Sequence, residues 1–320
     1  MITILTSHNH IWQIDQVVID TIKEYQELGQ ATIFLNNEGP CCDSVGLYRV
    51  LNNVCDKFNF DKSKITILTC NREEHHDDYT IKILDQPWVN QTFKSCLLHG
   101  YTRDDFYKRK IILKNLFGCL YNIPSWNRLN LVAYIKNHTK RSSLLACNGT
   151  WEAHCHNSYY LNSVTDFCPT EIYNIVDLIR DGIYALPGHP GTKPSPIENT
   201  KILEYYNDFF IDVVAETYTN GLTFFPTEKT FRPIYAMTPF IIFGPQGFIS
   251  TLKSDYGFKS FDKWWDESYD TYQNYERIQK IYGVIDYIDR KSDSELIDMY
   301  HDMTDTLEYN FEQLKKINAK

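Results

Sequence analysis

The run Phe209-Phe-Ile-Asp-Val-Val-Ala215, followed by Glu216, then Thr227-Glu-Lys-Thr-Phe-Arg232 and Pro239-Phe-Ile-Ile-Phe-Gly-Pro245, decides how this chain is read. Phe209 to Ala215 is apolar almost throughout, the pattern of a strand buried on both faces. Pro239 to Phe243 repeats the pattern and is closed by Gly244-Pro245. The charged residues therefore lie between two buried strands. Thr227 predicts a helix cap, Glu228 and Lys229 fall in the first turn, and Arg232 returns to the same face. A helix N-terminus with Lys and Arg beside it suits a diphosphate, and a carboxylate there can accept hydrogen bonds from ribose or sugar hydroxyls. The plainer alternative is a solvated helix whose Glu, Lys and Arg merely face water.

Outward from this stretch, strands and helices alternate. Ile2 to Thr6 reads as a strand, Trp12 to Leu28 as a helix ending at Gly29, Ala31 to Leu35 as a strand, Val45 to Phe58 as a helix, and Ile65 to Thr69 as a strand. A second set begins with the strand Phe93 to Leu98 and an apparent helix over the stretch from Tyr101 to Phe117, and includes Leu144 to Cys147. The expected class is α/β, with two Rossmann-like domains facing a cleft. Residues 1–88 and 89–290 are expected to form the two domains, the second with an insertion over about 120–200. That insertion contains the turn-rich stretch Pro187 to Pro196. The tail, 291–320, has helical spacing at Leu296, Met299, Met303, Leu307, Phe311 and Leu314, and is expected to pack across both domains or to serve as an oligomer helix.

The order of strand, Glu, loop, Thr-Glu-Lys, Arg, apolar strand and Gly-Pro resembles the C-terminal signature of the fucosyltransferase-like glycosyltransferases, over residues 212–261. The resemblance implies the two-domain GT-B architecture, with 1–88 as the N-terminal, acceptor-side domain and 89–290 as the sugar-nucleotide-binding domain, and a nucleotide-sugar donor. It also implies that Lys229 and Arg232 contact the donor diphosphate, that Glu216 and Glu228 hold ribose and donor sugar, and that Thr227 belongs to the same donor-binding set. Arg109, in the basic cluster Lys108-Arg-Lys110, is the best match for an arginine that reaches the donor phosphate, with Arg103 behind it. Thr217 stands where the family usually has Asn, and Pro233 follows the arginine, which leaves the donor open between GDP-fucose and UDP- or other sugars. Trp264 and Trp265 read as packing residues, with base or sugar stacking as the alternative.

Direct transfer with inversion requires a base for the acceptor hydroxyl, which in the resembled family comes from the N-terminal domain. Glu38, Asp43 and Asp15 are the candidates. Glu38 comes first because it follows a strand at its C-terminal end, where α/β sites are built; His8 and His10 hold a similar place after the first strand. The chain contains no Asp-x-Asp, which favours the metal-independent class, with Lys and Arg neutralising the leaving group. The runs Glu73-Glu-His-His-Asp-Asp78 and His154-Cys-His156 lack a zinc spacing, and no metal ligand is expected. No cofactor is expected beyond the GDP- or UDP-sugar co-substrate.

At 320 residues with 43% hydrophobic content, the chain can bury substantial cores. No apolar run approaches the roughly 20 residues of a membrane span, and Met1 to Ser7 lacks a basic leader, so the expected location is the cytoplasm of a bacterium or a virus-infected cell. Nine cysteines without a framework spacing predict reduced thiols. A net charge of −9 argues against a large phosphate-backbone footprint. The acceptor is left as a glycan, a small molecule or a hydroxylated biopolymer, a modified nucleic-acid base included. Two rival classes stay open: a nucleotide- or phosphate-handling hydrolase, and a non-catalytic sugar-nucleotide-binding module. Dinucleotide, P-loop and Gly-x-Ser-x-Gly fingerprints are absent.

Overall fold

Two parallel sheets organise the computed structural model, which describes residues 29–34, 42, 46–69, 71, 74–83, 113–121, 126–147, 175, 198–216, 219 and 224–318. The chain divides into two compact units, Met1–Pro87 with Asn220–Phe225, and Trp88–Thr219 with Pro226–Lys320. The α/β class expected from the sequence is met.

In the first unit, Ala31–Phe34 (β1), Ile65–Thr69 (β2) and Thr80–Ile83 (β3) lie side by side in that order, all parallel. The helix Leu47–Phe58 (α1) buries Leu47, Tyr48, Val50, Leu51, Val54 and Cys55, residues that recur at three- and four-residue spacing. It ends where Asn59 takes a left-handed conformation at φ 51°, one of the few geometries that halts a helix without a glycine. Together with Ala31, Ile33, Ile65 and Ile67, this face forms the unit's core. The sequence reading missed β3, a four-residue strand whose pattern is too short to stand out.

The second unit holds the sheet β5-β4-β6-β7, again all parallel, made of Asn115–Tyr121 (β4), Leu144–Cys147 (β5), Phe209–Ala215 (β6) and Phe240–Phe243 (β7). Every residue of β6 and β7 is buried, as expected of parallel strands covered on both faces. One expectation is corrected here. The helical reading that ran as far as Phe117 fails, because Asn115 to Tyr121 is a central strand between β5 and β6. Short apolar runs satisfy helix and strand spacing equally well, and the burial of Leu116 through Tyr121 on both faces decides the matter. At Gly118 the strand has no room for a side chain, since an added Cβ would stand 2.6 Å from the Phe209 ring.

The other α-helices among the described residues are Trp126–His138 (α2), Glu228–Tyr235 (α3), Phe248–Tyr256 (α4), Asn274–Asp289 (α5) and Asp293–Asn318 (α6), all in the second unit. Asp289 at the end of α5 accepts hydrogen bonds from Lys140 N–H and Arg141 N–H at 2.9 and 3.3 Å, which ties the turn after α2 to α5. On α6, Leu296, Met299, Met303, Leu307, Phe311 and Leu314 are buried, the stripe that the spacing predicts. Buried Asn310 sits in the same stripe. Its amide oxygen accepts from Lys259 N–H at 2.7 Å and its Nδ2 donates to the Lys259 carbonyl at 2.9 Å. Among the described residues no helix is long and apolar enough to cross a membrane.

Candidate functional site

The site begins where β6 ends. Glu216 directly follows the strand, and its backbone N–H donates to the Phe243 carbonyl at 3.0 Å, which fixes it beside the end of β7. Its side chain is buried at 1% exposure, and burial of a carboxylate is tolerable only when its oxygens are hydrogen-bonded. They are: Thr227 N–H donates to Oε1 at 2.9 Å, the Thr227 hydroxyl donates to Oε2 at 2.6 Å, and the Thr230 hydroxyl donates to Oε1. Thr227 is the N-cap of α3, its Oγ1 accepting from Lys229 N–H at 3.3 Å. Glu216 therefore pins the start of α3 to the C-terminal edge of the sheet.

From this fixed start, Glu228, Lys229 and Arg232 project from neighbouring positions. Lys229 Nζ lies 3.0 Å from Glu228 Oε1 and donates to Thr227 Oγ1 at 3.0 Å, while Arg232 Nη2 lies 3.6 Å from the same Glu228 oxygen. Two cations thus converge on one oxygen. The side chains of Arg232 and Lys229 keep only 7% and 14% exposure, against 25% for Glu228. Burial works to raise the Glu228 carboxyl, but Lys229 and then Arg232 outweigh it and hold the group down at about 2.

Behind Arg232 stands Asp212, buried in the middle of β6, opposite Phe240 on β7 and Gly118 on β4. It accepts a hydrogen bond from the Tyr206 hydroxyl at 2.6 Å. Burial raises its pKa to about 7, even though Tyr206 and Arg232 both pull it down. The Tyr121 hydroxyl donates to the Val213 carbonyl at 2.7 Å, and the Arg128 guanidinium lies 5.6 Å from the centre of the Tyr121 ring. A second helix start sits at the C-terminal end of β7, and its anion-binding end is filled as well. Asp270 accepts from Ile249 N–H and Ser250 N–H at 2.9 Å each, with buried Arg277 Nη2 3.4 Å away.

Of the residues expected at the site, Glu216, Thr227, Glu228, Lys229 and Arg232 are brought together around the start of α3. Arg109, Glu38, Asp43 and Asp15 lie outside the described residues, as do Arg103, Thr217, His8, His10 and the His154-Cys-His156 run. Asp212, Tyr206, Arg128 and Asp270 were not anticipated. Only Asp212 left a signal, as an acid inside an otherwise apolar strand. In the first unit, Glu74 accepts from Cys42 N–H at 2.9 Å, from the Tyr48 hydroxyl at 2.5 Å and from Asn71 Nδ2 at 3.0 Å, so it fastens loops rather than offering a bare carboxylate. Among the described residues no group of three His, Cys, Asp or Glu side chains is arranged to hold a metal ion. Trp265 is buried and stacks on Phe261, and Trp264 Nε1 donates to Asp302 of α6 at 2.7 Å; both tie down the segment after α4.

No protein-family model matches the chain, and no curated protein matches it. Among solved structures the chain is similar to that of the Candida albicans trehalose-6-phosphate phosphatase N-terminal domain. The likeness has a TM-score of 0.40 and 10% identity, and covers 96% of this chain and 73% of that one. A likeness of that size does not define a shared fold.

Proposed function

We propose that this protein is a glycosyltransferase that moves a sugar from a nucleotide-diphosphate donor, a GDP- or UDP-sugar, to a hydroxyl acceptor. In this reading the two Rossmann-like halves face a cleft in the GT-B manner, and transfer is direct, inverting and metal-independent. The observation that carries it is the convergence of Lys229 and Arg232 on a single oxygen position at the start of α3, at the C-terminal edge of a parallel sheet. Cations so shielded from water are suited to an anion that gains charge as a bond breaks. As the anomeric carbon leaves the diphosphate oxygen, Lys229 and Arg232, joined by Arg109, stabilise the charge that develops there. The acceptor hydroxyl loses its proton to a carboxylate of the N-terminal half, Glu38 ahead of Asp43 and Asp15. Glu216 and Thr227 contribute by holding the helix start in place beneath the donor.

The test is thermal stabilisation of the purified protein against GDP, UDP, CMP and their sugar conjugates, without metal and then with Mn²⁺, followed by an acceptor screen with the nucleotide that binds. The proposal expects stabilisation by one nucleotide-diphosphate family without metal, and sugar transfer rather than simple hydrolysis. Nucleotide release without any acceptor would identify a hydrolase. Binding without turnover would identify a binding module.

A further inference from the structure

The two cations hold an anion that belongs to the protein itself. Glu228 Oε1 lies 3.0 Å from Lys229 Nζ and 3.6 Å from Arg232 Nη2. A carboxylate oxygen and a phosphoryl oxygen make the same charge-assisted contacts with ammonium and guanidinium groups, at similar distances. Glu228 is also the most exposed of the three side chains, at 25%, so it can turn toward water without opening the core. The helix start does not depend on it for its cap, because Glu216 and Thr227 already fasten that end. A residue that does not supply the Thr227 cap thus occupies the point on which both cations converge.

Resting on the reading of Lys229 and Arg232 as a diphosphate clamp, we propose that Glu228 is an internal stand-in for the donor phosphate. It fills the clamp when the site is empty, swings toward solvent when a nucleoside diphosphate enters, and returns as the product leaves. Glu228 thereby adds a carboxylate that faces both buried cations to the partners they already have, Thr227 Oγ1 for Lys229 and Asp212 for Arg232. Ligand binding must break the Glu228 contacts, so affinity is lower than the bare clamp would give and release of the diphosphate product is faster. This differs from a direct ribose contact by Glu228, which would raise nucleotide affinity.

Two probes separate the roles: inorganic pyrophosphate, which has no ribose, and GDP or UDP, which have one. Calorimetric affinities for both would be measured on wild type, Glu228→Gln and Glu228→Ala, with Lys229→Ala as the reference, and thermal midpoints would confirm that each variant is folded. The stand-in role predicts that both Glu228 variants bind pyrophosphate about tenfold more tightly than wild type, the scale of one lost charge-assisted contact. Dissociation of GDP or UDP from them should be slower. Unchanged or weaker pyrophosphate binding by the Glu228 variants, with binding still weakened by Lys229→Ala, overturns the stand-in and leaves the clamp intact. If neither pyrophosphate nor GDP nor UDP binds wild type or any variant, the clamp itself is wrong and the stand-in falls with it. A variant that unfolds is replaced by Glu228→Asp, whose shorter arm should also tighten pyrophosphate binding; failure to do so again overturns the proposal.

Discussion

Asp212 couples the sheet electrostatically to Arg232 of α3. Its position in β6 removes it from water and raises its pKa to about 7, whereas an ordinary aspartate titrates at 3.8. As pH rises, the unfolded chain releases this proton well before the folded protein does. The residue's contribution to stability is therefore full below 3.8 and is lost as pH passes through about 7. Glu267, also raised to about 7 by burial, acts in the same direction. Glu228 acts in the opposite one: held at about 2 against an ordinary 4.5, it stabilises above 4.5 and that contribution is lost as pH falls toward 2. Asp212→Asn should flatten the decline in thermal midpoint between pH 3.8 and about 7, a window worth a few kcal/mol. A pH profile identical to wild type would show that Asp212 is ionised across that range. The cap and the grouping of Glu228, Lys229 and Arg232 were legible in the sequence because they lie with Thr227 within one helical turn and a half. The Tyr206 partner of Asp212 was not, since its contact depends on how the turn before β6 folds back.

The helix α3, which carries Glu228, Lys229 and Arg232, is only eight residues long, too short to hold in water by itself. It is closed at both ends. Glu216 and Thr227 fix its start, and at its finish Met237 takes φ 48° while Thr238 N–H returns to the Pro233 carbonyl at 2.9 Å. Its frame is β6 beneath and α6 alongside, where Tyr235 and Phe311 pack at a ring-centre distance of 5.6 Å. The frame can be probed with a matched pair of glycines. Gly118→Ala should destabilise by about 1–3 kcal/mol, because the new Cβ meets the Phe209 ring at 2.6 Å. Gly283→Ala on α5 meets nothing within 4 Å and should be neutral or stabilising by up to about 1 kcal/mol. Asn310→Ala, which removes both hydrogen bonds to Lys259, should cost about 1–3 kcal/mol; a midpoint within error of wild type would show that the pair contributes nothing net. Elements with a clear period, such as α6, or an unbroken apolar run between turns, such as β6 and β7, were readable in advance. The helix α2 was not, for a physical reason: Arg128 through Ile135 are buried without a break, so no polar face marks the helical period.

Across the whole chain, the proposed donor clamp and the proposed bases belong to different units, Lys229 and Arg232 to the second, and Glu38, Asp43 and Asp15 to the first. The account therefore separates two functions that mutations can uncouple. Glu38→Gln should abolish transfer and leave donor affinity unchanged; normal turnover would remove it as the base. For the second unit, the deciding measurement is the affinity of wild type, Lys229→Ala and Arg232→Ala for GDP and UDP without added metal. Wild type should bind one of the two nucleotides, and each substitution should weaken binding by about 1–3 kcal/mol, the worth of a charge-assisted bond shielded from water. Equal affinity in all three proteins, or no binding by wild type, would contradict the proposed clamp.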